Sequence, residues 1–84
     1  MYTVYVLKSL KRSYLYVGLT NNLNRRLNQH QKGKVLTTRA YQPFELVHFE
    51  HFSTRQKARN REKYLKSGCG KELLKEYLSQ PESY

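Results

Sequence analysis

Eighty-four residues suit one small domain and leave no chain for a second core. Sixteen Lys and Arg against six Asp and Glu give a net charge of +10, a field that attracts polyanions, nucleic acid foremost, although charge alone does not choose between DNA, RNA and the ribosome. The 38% hydrophobic content excludes a charge-rich disordered tail, and Cys69, the single cysteine, excludes an intrachain disulfide and a cysteine-based zinc cluster.

The first segment, MYTVYVLKSLKR, carries an apolar run far shorter than a membrane span and lacks a secretory cleavage pattern, so the expected compartment is the cytoplasm, with no membrane partner. Residues 2–7, YTVYVL, and 14–17, YLYV, are β-branched and aromatic and flank the polar stretch KSLKRS, which predicts an antiparallel hairpin. A turn centred between Leu10 and Lys11 sets Tyr5 opposite Tyr16 and Leu7 opposite Tyr14. Val4, Val6, Leu15 and Val17 then form an aliphatic face suited to the core. A slip of one residue would exchange the faces.

Gly18 and the polar LTNN break the strand pattern, and Asn21 or Asn22 can cap a helix reaching about Lys32. Leu23 and Leu27 supply its packing stripe. Arg26 and His30, also four apart, share an adjoining face, whereas Arg25 points about 100° away from Arg26. From Gly33 to Pro43 the chain has no clear period and reads as a loop of basic and hydroxyl side chains, among them Lys34, Thr37, Thr38 and Arg39, suited to phosphates. Residues 44–52, FELVHFEHF, read as a third strand on which His48 and His51 point to opposite faces, so no zinc site is expected. Ser53 and Gln56 form a capping-box pattern opening a second helix to about Ser67. Gly68 and Gly70 are expected to end it. KELLKEYL makes a short third helix with Leu73, Leu74, Tyr77 and Leu78 inward, and a frayed tail, 81–84, follows the domain of residues 1–80.

In the second helix one acid, Glu62, stands among Arg55, Lys57, Arg59, Arg61, Lys63 and Lys66. It follows Ala58 by four residues and precedes Leu65 by three, so it lies along the apolar stripe. It can pair within its helix with Arg59 or Lys66, or it can hold a hard cation, since Mg²⁺ takes few protein carboxylates and fills its shell with water and phosphate. Arg26 offers a planar fork of donors matched to phosphate, and His30 can equally be an exposed helix-end residue. Tyr5, with an unperturbed pKa of about 10, needs a nearby metal-bound phosphate, arginine or lysine before it serves as a base, and Lys8 or Lys11 in the hairpin loop could help. No P-loop, dinucleotide-binding glycine pattern or helical H-E-x-x-H is present.

The ordered set resembles the GIY-YIG nuclease domain, the family of the catalytic N-terminal domain of excinuclease C, and in compactness its stand-alone members. Thr3-Val4-Tyr5 and Tyr16-Val17-Gly18 match the two halves of the motif. Arg26 lies eight residues after that glycine, His30 one turn further, and Glu62 sits in A-R-N-R-E-K-Y-L. The chain departs from the family at Thr3, in place of a glycine, at Leu19, where excinuclease C has a lysine, and at Tyr77, where many members carry asparagine. The resemblance implies an α/β (α+β) fold with a three-stranded antiparallel sheet flanked by helices. It also implies a metal-dependent DNA endonuclease of low sequence specificity, in DNA repair or recombination.

On these positions Tyr5 would activate water, aided by Tyr16 and His30. Arg26 would stabilise the phosphorane and Glu62 would hold one Mg²⁺ or Mn²⁺. Gly18, Arg25, Lys34, Thr37, Thr38 and Arg39 would meet the nucleic acid, and a protein partner could supply specificity. The competing reading is a catalytically inactive module that binds DNA or structured RNA.

Overall fold

A computed structural model describes residues 1–79; the tail expected at 81–84 lies outside the described residues. Strands β1 (Tyr2–Ser9), β2 (Leu15–Thr20) and β3 (Phe44–Phe52) form an antiparallel sheet in the order β2-β1-β3. The central strand is β1, which explains its nearly continuous burial. Helices α1 (Leu23–Gln31), α2 (Arg55–Lys66) and α3 (Gly68–Ser79) accompany it, with a 3₁₀ turn at Arg39–Tyr41 in the loop before β3.

Period-two alternation sorts the sheet into two faces. Val4, Val6 and Val17 pack with Ala58 and Leu65 of α2 and Leu74 of α3. Tyr5, Leu7 and Phe44 pack with Leu23 and Leu27 of α1 and with Tyr14 and Tyr16. Each fully buried Val or Leu contributes about 1.5–3 kcal/mol relative to exposure. The expected faces are thus correct, but the register is displaced by two residues: Tyr5 pairs with Gly18 and Leu7 with Tyr16. Ser9 is the reason. Its Oγ accepts from the backbone N–H groups of Lys11 and Arg12 and donates to the Tyr41 carbonyl, so the turn closes further along the chain. A shift of two keeps every side chain on its face.

The helix ends depart from expectation in two places. Asn22 caps α1 by accepting from the Arg25 N–H, as expected, but α2 is capped by Thr54, not Ser53, the Thr54 hydroxyl accepting from the Lys57 N–H. Gly68 and Gly70 do not terminate structure; they begin α3, with the Ser67 carbonyl accepting from Lys71 N–H and its Oγ from Gly70 N–H. A Cβ at Gly70 would overlap the Tyr64 carbonyl and the Leu65 backbone, so this glycine lets the two helices turn tightly against each other. Starting α3 at Gly68 aligns Gly70, Leu74 and Leu78 inward. Leu73 and Tyr77, expected inside, are exposed on the flank.

Among the described residues no helix is long and apolar enough to cross a membrane.

Candidate active site

Tyr5 projects from the middle of the central strand, and Gly18 is its partner across the β1–β2 ladder. A Cβ at Gly18 would clash with the Tyr5 ring carbon that bears the hydroxyl and with the hydroxyl itself, so the missing side chain is what lets Tyr5 lie across β2. In this structure Tyr5 itself occupies the space that Gly18 leaves for close approach. Tyr16, two residues earlier on the same face of β2, sets its ring centroid 6.2 Å from that of Tyr5 and 5.1 Å from that of His30.

His30 comes from the last turn of α1, and the reading of it as an exposed helix-end residue is corrected: it is 1% exposed, beside Tyr5 at 0%. The Tyr5 hydroxyl and His30 Nε2 are 2.9 Å apart, and His30 Nδ1 is 2.9 Å from Thr38 Oγ1. The Thr38 hydroxyl donates to the Val35 carbonyl at 3.4 Å. That leaves its oxygen to accept from a protonated Nδ1, so the Nε2 lone pair faces the Tyr5 O–H. The end of α1 is rigidly placed. Gly33, at φ 71°, and Lys34 return N–H bonds to the carbonyls of His30 and Gln29, and the Gln42 amide donates to the carbonyls of His30 and Gln31.

Thr38, expected to meet phosphate, is fully buried and instead orients the imidazole. Lys34, Thr37 and Arg39 of the same loop are not buried, Arg39 donating to the Gly33 carbonyl. Of the groups expected to tune Tyr5, the structure supplies the arginine and not the lysines. It is Arg26, not Lys8 or Lys11: burial pushes the phenol up to about 12, and the hydrogen bond and charge of Arg26 oppose this. Burial, and then the Arg26 charge, drive His30 down to about 4. The resting pair is therefore neutral Tyr5 hydrogen-bonded to neutral His30.

Arg26 is partly exposed and its Nη1 donates to Gln29 Oε1 at 2.9 Å, which fixes the guanidinium. With Arg25, Gln29, Thr20, Asn21 and Arg55 it lines a largely polar cleft of about 440 Å³. Three arginines from two helices thus converge on one opening beside the buried tyrosine. Gln29 and Arg55 escape a sequence reading. For Gln29 the signal was its i+3 spacing from Arg26; for Arg55 there was none, since its approach depends on tertiary packing.

Glu62 does not join this cluster by any described bond. Its stripe-mates Ala58 and Leu65 pack on the opposite sheet face, and its own oxygens accept from Arg59 Nη1 at 3.3 Å and Lys66 Nζ at 2.9 Å. The side chain is 8% exposed, whereas those of Arg59 and Lys66 are about half exposed. Among the described residues no group of three or more His, Cys, Asp or Glu could hold a metal. A cation held here would therefore have one protein carboxylate and a shell of water and phosphate, an arrangement that Mg²⁺ accepts. Arg59 and Lys66 can swing into solvent to admit it, so the donor set fits a cation held jointly with substrate.

The family model described as the GIY-YIG catalytic domain matches residues 1–75. A UPF0213 protein of Clostridium perfringens is 44% identical over 64 residues, 75% of this chain and 68% of that one. A UPF0213 protein of Haloquadratum walsbyi is 42% identical over 65 residues, covering 76% and 72%. The solution NMR structure of a UPF0213 protein from Bacillus halodurans superposes with a TM-score of 0.57 at 32% identity, over 96% of this chain and 89% of that one. The GIY-YIG domain is a nuclease domain acting on nucleic acid, generally with divalent metal ions. With Tyr5, Tyr16, Arg26 and His30 gathered at one place and these matches spanning most of its length, the chain belongs to the GIY-YIG family and to its UPF0213 group.

Proposed function

We propose that this protein is a divalent-metal-dependent endonuclease that hydrolyses DNA phosphodiesters with low sequence specificity, in repair or recombination. The observation that carries the reading is the placement of buried Tyr5, hydrogen-bonded to His30, beside a cleft entered by Arg25, Arg26 and Arg55. The cleft offers planar donors to a phosphate and reads no base edge, so specificity would come from substrate shape or from a protein partner. Arg26, held by Gln29 beside Tyr5, would neutralise charge developing on the phosphorane, an electrostatic role.

Tyr5 would act as the base. As water attacks phosphorus, its proton passes to the Tyr5 oxygen while the Tyr5 proton passes to His30 Nε2; the bond from phosphorus to the leaving oxygen breaks, and that oxygen keeps the electron pair and takes a proton from solvent. Thr38 keeps the receiving lone pair aimed at Tyr5. Because Tyr5 has no exposed surface, this step requires Arg26 or Tyr16, the partly exposed members of the cluster, to move when substrate enters. A divalent cation at Glu62 would supply Lewis-acid and template chemistry. Lys34, Thr37 and Arg39 would follow the sugar-phosphate backbone.

A second reading, a module that binds DNA or structured RNA without cutting it, draws support from the engagement of both Glu62 oxygens by Arg59 and Lys66. Nicking of supercoiled plasmid with Mg²⁺ or Mn²⁺ separates the two. The nuclease reading expects cleavage that disappears in Arg26→Ala. Tight binding with no cleavage under either metal selects the module.

A further inference from the structure

Thr3 stands two residues before Tyr5 on the same face of β1, at the position where this chain departs from the glycine of the family motif. It is 5% exposed, so its hydroxyl needs a partner within the protein. His51, its ladder partner on β3, is that partner: Thr3 Oγ1 and His51 Nδ1 are 2.8 Å apart. A glycine at this position could not make the bond. Among the described residues the Thr3 hydroxyl has no other acceptor, so it donates to Nδ1, and the ring proton of neutral His51 sits on Nε2. His51 is exposed, and among the described residues no hydrogen bond or ion pair engages that Nε2–H. The ring of Phe49, the exposed ladder partner of Tyr5, lies 5.2 Å from the imidazole, centroid to centroid. The imidazole is therefore held by a hydrogen bond on one side and flanked by a ring on another.

Its position gives this donor a use. Thr3 pairs on its other side with Thr20, a wall of the arginine cleft, so His51 lies two strand spacings from that wall, roughly 10 Å at about 4.8 Å each. Along the chain His51 precedes Arg55, another wall of the cleft, by four residues. Glu50, the acid beside it in sequence, projects to the opposite sheet face, where His48 and Arg61 engage it, so it does not repel an anion here. Each strand of a duplex advances about 3.4 Å per nucleotide along the axis, so a phosphate at the arginines brings another of the same duplex to His51 about three nucleotides away.

We infer that His51, oriented by Thr3, binds a second backbone phosphate of a DNA duplex whose cleaved strand lies in the arginine cleft, so that the duplex crosses the sheet from Thr20 to β3. The inference rests on the nuclease reading for the identity of the polymer, and it adds a binding residue, not a catalytic one.

Two measurements in EDTA, where hydrolysis does not enter, test it on the full chain with a short labelled DNA duplex. In the first, diethylpyrocarbonate modifies accessible imidazoles and mass spectrometry reads each histidine. The duplex should protect His51 and leave His48, on the opposite face, as reactive as before. In the second, fluorescence anisotropy compares variants matched by circular dichroism. His51→Ala and Thr3→Val should each bind about tenfold more weakly, the scale of one hydrogen bond to a charged group, and Thr3→Ser should bind as the parent does. The double variant Thr3→Val/His51→Ala should bind no more weakly than His51→Ala, because Thr3 acts through the imidazole, whereas His51→Ala and Arg25→Ala should add. An unprotected His51, equal protection of both histidines, unchanged affinity in His51→Ala, or additive losses at Thr3 and His51 overturns the inference. Protection and weakened binding in a protein that nicks no plasmid would keep this site and remove the nuclease reading.

Discussion

The Tyr5 hydroxyl and His30 Nε2 meet 2.9 Å apart between two residues that expose almost nothing, one from the central strand and one from the end of α1. Removing the hydroxyl leaves a buried imidazole nitrogen without its partner, which costs about 1–3 kcal/mol. Tyr5→Phe should therefore lower stability by that amount in urea denaturation, retain the native circular dichroism and cut no plasmid. Cleavage at the parental rate would remove Tyr5 from the chemistry.

His30 makes stability depend on pH. Its folded pKa, near 4, lies below the unfolded value of about 6.5, so between these values the unfolded chain takes up a proton that the folded one refuses. Stability should fall as the pH drops from about 6.5 to 4 and this contribution should level off below that. The span is on the order of 3 kcal/mol at about 1.4 kcal/mol per pK unit. Urea midpoints across this window should follow that slope, and His30→Gln should flatten it. An NMR titration in which the His30 ring protonates near 6.5 contradicts the assignment.

Thr38 acts through His30. Thr38→Val keeps its shape but deprives Nδ1 of its acceptor, and the expected cost is about 1–3 kcal/mol. Cleavage should fall with unchanged DNA affinity, and Thr38→Ser should restore it. A Thr38→Val protein that loses affinity but keeps its cleavage rate on bound DNA would place Thr38 at the substrate.

Gly18 should be coupled to Tyr5. A Cβ at Gly18 must displace the Tyr5 ring, so Gly18→Ala should cost about 1–3 kcal/mol by overpacking. In a Tyr5→Leu background, where the far end of the ring is gone, most of that penalty should vanish. Strictly additive effects in the double-mutant cycle would show that the glycine serves something other than the tyrosine.

Much of this arrangement was legible in the residues, and what was not has physical causes. The sheet faces, α1 and its Asn22 cap followed from period and capping chemistry. The hairpin register did not, because it depends on one serine oxygen collecting two backbone donors, and a shift of two leaves the hydrophobic pattern intact. Gly68 and Gly70 look like a stop because glycine usually is one; here they open α3, and Gly70 is required where the two helices meet. Thr38 read as a surface hydroxyl, and only tertiary structure shows that it lies beneath His30. Arg26 and His30 were findable from their spacing, whereas Arg55 reaches the same cleft from another helix.

On the nuclease reading, a cation at Glu62 separates cutting from merely binding. A cation there must displace Arg59 and Lys66, so Mn²⁺ titrated into ¹⁵N-labelled protein with a phosphorothioate duplex should broaden the amides around Glu62, and Glu62→Gln should prevent it. Broadening centred elsewhere moves the metal off this helix.

The most direct measurement is Mn²⁺-dependent nicking of supercoiled plasmid by the parent, Arg26→Ala and Glu62→Gln, prepared in parallel and matched by circular dichroism. The account predicts nicking by the parent and none by either folded variant. Nicking of equal rate in all three would contradict it.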